Sequence, residues 1–333
     1  TNESNSKGRS ISSNFMGSWE VDKRTRIHFT GNLGISPNRN ENSSRNASFD
    51  APPGISHESL FDDFESIPRD IKVNRSENRS RSENQSNRYS WMMGIMRRLN
   101  EKGTTLALNI QNSDSWGDNE SFSLSKTTYF RLEDKLGNDS VLYRNQYLKS
   151  PQKNNSWRVG ITFAQPIGKK MHFRVAYNWD TNYERENRDT YELSSLTKSE
   201  VFGELPPDYE AGYVDSLSNR SHSRTNGHNL NVGLNYSDDT WMFNASLGMT
   251  PQKRAIERKM GKLYADTTVH TIDFQPMIWV NWKKKEARIT FNYSGRTRQP
   301  SLSDLMPLTD NSNPLYITRG NPDLKQMFSH SVR

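Results

Sequence analysis

The chain has 333 residues, no cysteine, 25% charged residues and a formal net charge of +7, and its mean hydropathy is −0.96. A membrane-spanning helix needs about 18 or more consecutive apolar residues, and because no such run occurs, helical membrane spans are excluded. A membrane-spanning β-strand needs no continuous apolar run, because only every second residue faces lipid. Membrane-spanning strands therefore remain possible. No secretory signal opens the sequence, so we expect a mature segment or a fragment.

The first strongly alternating segment covers residues 27–35. Its odd positions are Ile27, Phe29, Gly31, Leu33 and Ile35, whereas its even positions carry His, Thr, Asn and Gly. A period of two is typical of a β-strand with one apolar face. The same alternation recurs in chain order at residues 89–95, 106–110, 157–163, 173–179, 230–236, 241–249, 274–282 and 289–293. The pattern predicts an all-β protein with about ten or more strands.

The connections between these segments alternate between short and long. Short polar turns are predicted at residues 22–24, 100–103, 168–170, 237–239 and 283–285, and long polar connections at residues 36–88, 112–156, 183–228 and 252–271. Soluble β-sandwiches have mostly short connections at both ends. An outer-membrane barrel instead has tight periplasmic turns and long extracellular loops. We therefore predict a transmembrane antiparallel meander β-barrel, with residues 1–333 forming part of one such domain in the bacterial outer membrane.

Aromatic residues cluster toward both ends of the predicted strands. Tryptophan and tyrosine rings are amphipathic and favour the two membrane interfaces. The predicted girdle consists of Trp19, Tyr236, Trp241 and Trp282 near the tight turns, and of Trp91, Trp157 and Tyr293 toward the other strand ends. In the alternative interpretation, these rings fill the core of a β-sandwich. The Asn, Thr, Arg and Gly residues on the opposite faces favour a hydrated lumen, so we expect outer-membrane lipid, including lipopolysaccharide, as a partner.

The segment 73–88 is almost entirely Asn, Arg, Ser, Glu and Gln, a composition that cannot bury a core. We interpret it as a solvated loop or a polar extension of the barrel. The sequence pI of about 9.4 raises the alternative of nucleic-acid binding. Because Glu77 and Glu83 interrupt the positive charge and the segment itself contains no aromatic residue before Tyr89, we expect no nucleic-acid partner. The positive charge then pairs with phosphates of outer-leaflet lipid or is a solvated surface.

The end of the chain carries a recognisable series of motifs. It contains Ser294-Gly295-Arg296-Thr297-Arg298-Gln299-Pro300-Ser301-Leu302-Ser303-Asp304-Leu305, then Asn313-Pro314-Leu315, then Gly320-Asn321-Pro322-Asp323-Leu324-Lys325. This region resembles the barrel domain of TonB-dependent receptors, in particular outer-membrane β-barrel proteins of the Bacteroidetes type. One departure is that Lys325 is followed by Gln326 and Met327, whereas family members usually continue with Pro and Glu. The close resemblance covers about a tenth of the chain.

The resemblance implies uptake of a scarce ligand, small or oligomeric, with energy supplied by the TonB system through a plug domain. We find no plug domain in this sequence. The signature residues implied by the resemblance are Arg298, Pro300, Leu305, Asn313, Pro314, Gly320, Asn321, Pro322 and Leu324. We expect them to be structural, because proline stops strand pairing and Gly320 permits a tight turn.

Catalytic and metal-binding constellations are weak. Acidic residues cluster at Asp114, Asp118 and Glu120 without the ligand spacing of a calcium loop, and three isolated histidines occur at His222, His228 and His270. No serine lies in a Gly-x-Ser-x-Gly motif. We therefore expect no enzyme activity, no metal and no cofactor. The alternative to a transporter is a soluble or surface-exposed β-rich binding or adhesion protein.

Overall fold

The computed structural model describes residues 2–56, 60–196, 202–305, 309–310 and 318–333, and these residues form mainly long β-strands. The strands are β1 Asn2–Gly8, β2 Ile11–Asp22, β3 Thr25–Phe49, β4 Lys72–Arg98, β5 Thr105–Glu133, β6 Asp139–Ile167, β7 Met171–Glu192, β8 Asn219–Ser237, β9 Trp241–Met260, β10 Leu263–Lys284, β11 Ala287–Arg298, β12 Thr309–Asp310, β13 Thr318–Arg319 and β14 Met327–Val332. The short helix α1 covers Leu302–Leu305, and 3-10 turns lie at Phe64–Ser66, Arg69–Ile71, Tyr209–Gly212 and Asp215–Leu217. Among the described residues, no helix is long and apolar enough to cross a membrane.

Twelve strands form one antiparallel sheet. Its order is β1-β3-β4-β5-β6-β7-β8-β9-β10-β11-β14, and β2 pairs with β3 on the same side as β1. β12 and β13 form a separate two-stranded sheet. Neighbours in sequence are neighbours in space, so the predicted all-β antiparallel meander is confirmed. Within the described strands the sheet is open, because β14 does not pair with β1 or β2.

The five short turns are confirmed, but the long connections are shorter and fewer than predicted, since only those at residues 50–71 and 193–218 remain. Most of residues 36–88, 112–156 and 252–271, and a smaller part of 183–228, belong to strands. The strands reach 29 residues in β5 and in β6 but only 12 in β11. The strand pairs β5–β6 and β9–β10 are joined by short turns at residues 134–138 and 261–262. Antiparallel pairing uses backbone groups, so strands with two polar faces form without any apolar alternation. Segment 73–88 is thus a polar extension of the sheet.

The alternating apolar residues lie on one side of the sheet, which we call the apolar face, and the opposite side is the polar face. The accessible area of the chain is 22,030 Å², compared with about 14,000 Å² for a compact globular protein of 38.5 kDa. Trp19 is 64% exposed, Leu247 53% and Ile161 45%. No second layer covers these side chains in the described part of the chain, so the β-sandwich alternative is wrong.

The apolar stripe has nearly the height of a membrane core. On β9 it runs from Trp241 to Met249, eight residue steps or about 27 Å along the strand, which is about 20 Å in height at the tilt of a barrel strand. The outward apolar band of outer-membrane barrels is about 25 Å tall. On β3 the stripe from Ile27 to Ile35 has the same length.

Beyond the stripe, residues 193–196 and 202–218, the described parts of the connection between β7 and β8, fold back onto the apolar face. Phe122, Tyr147 and Leu193 are buried there and pack against Tyr191, Leu196, Phe202, Leu205 and Tyr209. The rings of Phe122 and Tyr147 are 4.9 Å apart. Burial raises the pKa of the Tyr147 hydroxyl, and the nearby Glu120 carboxylate raises it further. This cluster anchors the connection against β5, β6 and β7.

Candidate functional site

The polar face holds a pocket of about 900 Å³ at the strand ends far from the tight turns. Its walls are β7, β8, β9 and the described parts of segment 299–326, which joins β11 to β14. The charged side chains that line it are Arg188, Arg254, Arg258, Arg319, Glu184, Glu186 and Asp304. Four arginines and three carboxylates give the lining a small excess of positive charge.

Strand alternation explains why these side chains meet. On β7 the apolar stripe uses odd positions up to Trp179, so the even positions Glu184, Glu186 and Arg188 lie on the polar face. The register between β7, β8 and β9 is continuous at this level. The polar face of the membrane-spanning part therefore continues directly into the pocket.

Segment 299–326 is held on the polar face by a small apolar contact. Leu302 and Leu305, which are 8% and 6% exposed, pack against Ile256, which is 7% exposed. Ala265 and Val269 of β10 complete this cluster. The two halves of the segment are joined by the Asn321 backbone N–H, which donates to the Asp304 carbonyl at 2.6 Å. The described parts of the segment thus form one wall of the pocket.

The structure gives each described signature residue a place in this wall. Arg298 ends β11 and pairs with Met327 of β14, and the Pro300 carbonyl accepts a hydrogen bond from Arg254 Nη1 at 3.1 Å. Leu305 is in the apolar contact. These three residues support the segment.

The Gly-Asn-Pro-x-Leu motif lies at the pocket itself. Gly320, Asn321 and Leu324 line it. The Asn321 side-chain oxygen accepts a hydrogen bond from the Asp323 backbone N–H at 2.9 Å, and Pro322, between them, is exposed. Asn313 and Pro314 lie outside the described residues.

Arg188 and Arg254 are the two arginines of the pocket whose surroundings the structure defines most fully. Burial lowers the pKa of Arg254, while the Asp273 carboxylate raises it. Arg188 Nη2 donates to the Leu217 carbonyl at 3.0 Å, but its buried Nε has no partner among the described residues. A buried N–H without a partner is uncommon. Such a donor, in a lining rich in arginine, favours an acidic or acceptor-rich ligand.

The predicted girdle residues lie on the apolar face. Near the tight turns, Trp241 is opposite Trp282, and their ring centroids are 6.5 Å apart. Toward the other strand ends, Trp91 and Trp157 make an edge-to-face contact with ring centroids 5.7 Å apart. The remaining members, Trp19, Tyr236 and Tyr293, continue these two groups on β2, β8 and β11. Their contact with membrane interfaces stays a prediction.

The weak metal candidates do not come together. Asp114, Asp118 and Glu120 lie along β5, not in a loop, and the outer two are six residues or about 20 Å apart. His228 is hydrogen-bonded to the Tyr177 hydroxyl at 2.7 Å, whereas His270 lies two strands away on β10. No group of three or more His, Asp or Glu side chains in the described ranges is arranged to hold a metal ion.

The arginines of the pocket were not identified from the sequence. Arg188 and Arg254 lie within residues 183–228 and 252–271, which the sequence pattern assigned to loops. Extending the two-residue period of β7 and β9 past Trp179 and Met249 places both arginines on the polar face. That extension was the available signal.

Comparison with known proteins gives one family. The sequence profile described as "Outer membrane protein beta-barrel family" matches residues 97–333, more than two thirds of the chain. Comparison with curated proteins finds no similar sequence. A similar solved structure is the ferric yersiniabactin uptake receptor FyuA from Yersinia pestis, with 7% identity and a TM-score of 0.34. The alignment covers 89% of this chain and 46% of that one, so the chain spans about half the length of that receptor.

Proposed function

The chain belongs to the outer membrane protein β-barrel family, and from that premise we propose that it forms the barrel of a TonB-dependent-type transporter. Its location in the bacterial outer membrane follows from the family. The proposal adds uptake of a scarce ligand, driven by the TonB system through a plug domain. Transport, not catalysis, is the activity that we propose.

The observation that carries the proposal is the pocket on the polar face. It lies opposite the apolar stripe, so a ligand bound there faces the barrel interior and not lipid. Its wall includes Gly320, Asn321 and Leu324, in the segment that resembles TonB-dependent receptors. A volume of about 900 Å³ is within the range of sites for small molecules.

The lining indicates the chemistry of the ligand. Arginine recognises carboxylate and phosphate groups through paired hydrogen bonds, and Arg188 and Arg254 are both held in place by backbone carbonyls. We propose a ligand with acidic or acceptor-rich groups that contact these arginines. Glu184 and Glu186 on the same wall accept hydrogen bonds from its hydroxyl or amino groups.

The test is an uptake assay in the native host. Cells with and without the gene receive labelled ferric siderophores, cobalamin, oligosaccharides and peptides, with and without a protonophore. We expect one class to accumulate only when both the gene and the proton gradient are present. Surface binding that the protonophore leaves unchanged, without uptake of any class, would favour the surface-exposed adhesion alternative.

A pair of variants connects uptake to the pocket. Arg254→Gln removes the charge that docks segment 299–326, and we expect uptake to fall about tenfold or more, as for loss of a charged hydrogen bond of about 1.5–3 kcal/mol. The matched control is Lys126→Gln, since the Lys126 side chain is exposed on β5 and lies outside the pocket. Both variants must keep heat-modifiable migration on gels. Equal uptake by the two variants would show that the pocket is not needed for transport.

A further inference from the structure

Four basic side chains form a group on the apolar face, beyond the apolar stripe. They are Lys153 of β6, Arg185 of β7, Arg224 of β8 and Lys253 of β9, and we call them the basic patch. All four are exposed. Strand alternation places them on the same side as Trp157, Trp179, Leu230 and Met249, so they point away from the pocket.

The register makes these side chains neighbours. Lys153 is directly opposite Arg185, and Arg185 is opposite His222, two residues from Arg224. Arg224 is opposite Ala255, two residues from Lys253. Opposite residues in a sheet have Cβ atoms about 5 Å apart and diagonal ones about 7–8 Å, and like charges placed opposite each other destabilise the sheet.

No carboxylate in the described part of the chain forms an ion pair with any member of the basic patch. Asp114 and Asp118 lie diagonal to Lys153, and Glu257 is opposite His222. Asp114 instead accepts a hydrogen bond from Asn155 at 2.7 Å. Among the described residues, the positive charge of the patch is thus left without a carboxylate partner.

A second charged group on the same face provides a contrast. Arg39 and Arg81 lie on β3 and β4 with Glu41 and Glu83, and each arginine is ion-paired to both glutamates. We call these four residues the paired network. The fold neutralises positive charge there with two carboxylates, whereas the basic patch has no such arrangement.

The basic patch lies just beyond the apolar stripe, where long lysine and arginine side chains reach a headgroup layer. Lys153 is four residues beyond Trp157 on β6, which is about 10 Å in height on a strand tilted as in barrels. The headgroup layer on each side of a bilayer is roughly 5–8 Å thick. Exposed Trp116 and Tyr183 lie at the same level, as amphipathic rings do at an interface.

We propose that the basic patch binds the phosphate groups of the glycolipid that forms the outer leaflet, lipopolysaccharide. The lipid's acyl chains lie against the apolar stripe while its phosphates contact Lys153, Arg185, Arg224 and Lys253. The lipid phosphates provide the negative charge that no carboxylate of the described residues provides beside the patch. The inference does not depend on transport, because this side of the sheet is opposite the pocket.

The test compares two fourfold variants on the same face. The patch variant is Lys153→Gln, Arg185→Gln, Arg224→Gln and Lys253→Gln, and the control replaces all four residues of the paired network by Gln. Each protein is purified in detergent, and bound lipopolysaccharide is measured by mass spectrometry of its hydroxylated fatty acids. We expect the wild type and the control to retain it. The patch variant should lose about tenfold or more, since each basic residue contributes about a fivefold factor at an anionic surface.

Titration with defined lipids identifies the ligand. Bisphosphorylated lipid A should raise the melting temperature of the wild type, and dephosphorylated lipid A and inorganic phosphate should not. Equal retention by the patch variant, or equal effects of the two forms of lipid A, would overturn the proposal. An equal effect of inorganic phosphate would overturn it in favour of a free-anion site.

If the fourfold patch variant does not fold, a second measurement on the wild-type protein tests the same proposal. Lipopolysaccharide retained by the wild-type protein should fall steeply as NaCl rises, because the contacts are exposed and screened by salt. Retention that is independent of salt would contradict the proposal. The double variant Lys153→Gln, Arg185→Gln should lose part of the lipid, and its stability in lipid-free detergent should not fall, because one like-charge pair is removed.

Discussion

Replacement of Ile161 by arginine tests whether the apolar stripe contacts lipid. Ile161 lies on β6 between Leu108 and Tyr177 on the neighbouring strands and is 45% exposed. It is six residues from the end of β6 at the tight turn and four from Trp157, so it lies well inside the stripe. An arginine facing lipid at the bilayer midplane costs about 2–4 kcal/mol. The folding equilibrium in a bilayer should therefore fall about 30- to 700-fold.

Val141 supplies the matched control. It lies on the same strand and the same face and is 49% exposed, but it is twenty residues away, or about 65 Å along the strand. Water reaches Val141 in the folded protein, so Val141→Arg should change stability by less than about 0.5 kcal/mol.

The assay is equilibrium unfolding in lipid vesicles with urea, followed by tryptophan fluorescence and by gel migration without boiling. The wild type and both variants are compared at one lipid composition. A large loss for Ile161→Arg with a small one for Val141→Arg is the expected result. Similar midpoints for the two variants would show that the stripe does not face hydrocarbon.

Three further predictions concern the stripe, the pocket wall and a tight turn. Single cysteines placed one at a time at residues 241–249 and spin-labelled should alternate between exposure to oxygen in lipid and exposure to a water-soluble relaxing agent; a flat profile would contradict the register. Alanine at Leu302 and Leu305 removes buried side chains worth about 2–5 kcal/mol each and should speed proteolytic cleavage within segment 299–326, whereas unchanged cleavage would show that this contact does not hold the segment. Hydrogen bonds from the Tyr236 hydroxyl and two backbone N–H groups lower the pKa of Asp238. The ionised carboxylate therefore stabilises the turn at pH values above its ordinary pKa near 3.9, and this stabilisation is lost as the pH falls from that value through the lowered pKa. Asp238→Asn should flatten the acid side of the curve of stability against pH, and identical curves for the variant and the wild type would refute this.

The sequence predicted the membrane-spanning part of the fold because lipid imposes a strict alternation there. The odd positions of 241–249, which are Trp241, Phe243, Ala245, Leu247 and Met249, all face outward, so the pattern of β9 is visible without a structure. The same physics locates the tight turns, since the stripe stops at each of them. Arg81 and Glu83 of β4, by contrast, lie in a region where water reaches both faces. No alternation is required there, and the strands could not be distinguished from loops.

The pocket could not be predicted from the sequence for a related reason. Its arginines come from three strand extensions, and only the register brings Arg188 and Arg254 to one wall. The motifs of segment 299–326 were visible, but their fold against Ile256 depends on a contact between residues almost fifty positions apart. The connection 193–218 was predicted as part of a longer loop, and its tyrosines gave no sign that they pack on the apolar face.

The unequal strand lengths determine how the pocket can be approached. β5 and β6 have 29 residues each and β11 has 12, so the rim of the sheet differs in height by about 40 Å once strand tilt is included. The tall side screens the polar face from molecules that arrive across β5 and β6. Solutes from the surrounding medium have the shorter route over β11, and the first residues that they meet there belong to the segment carrying Gly320 and Asn321.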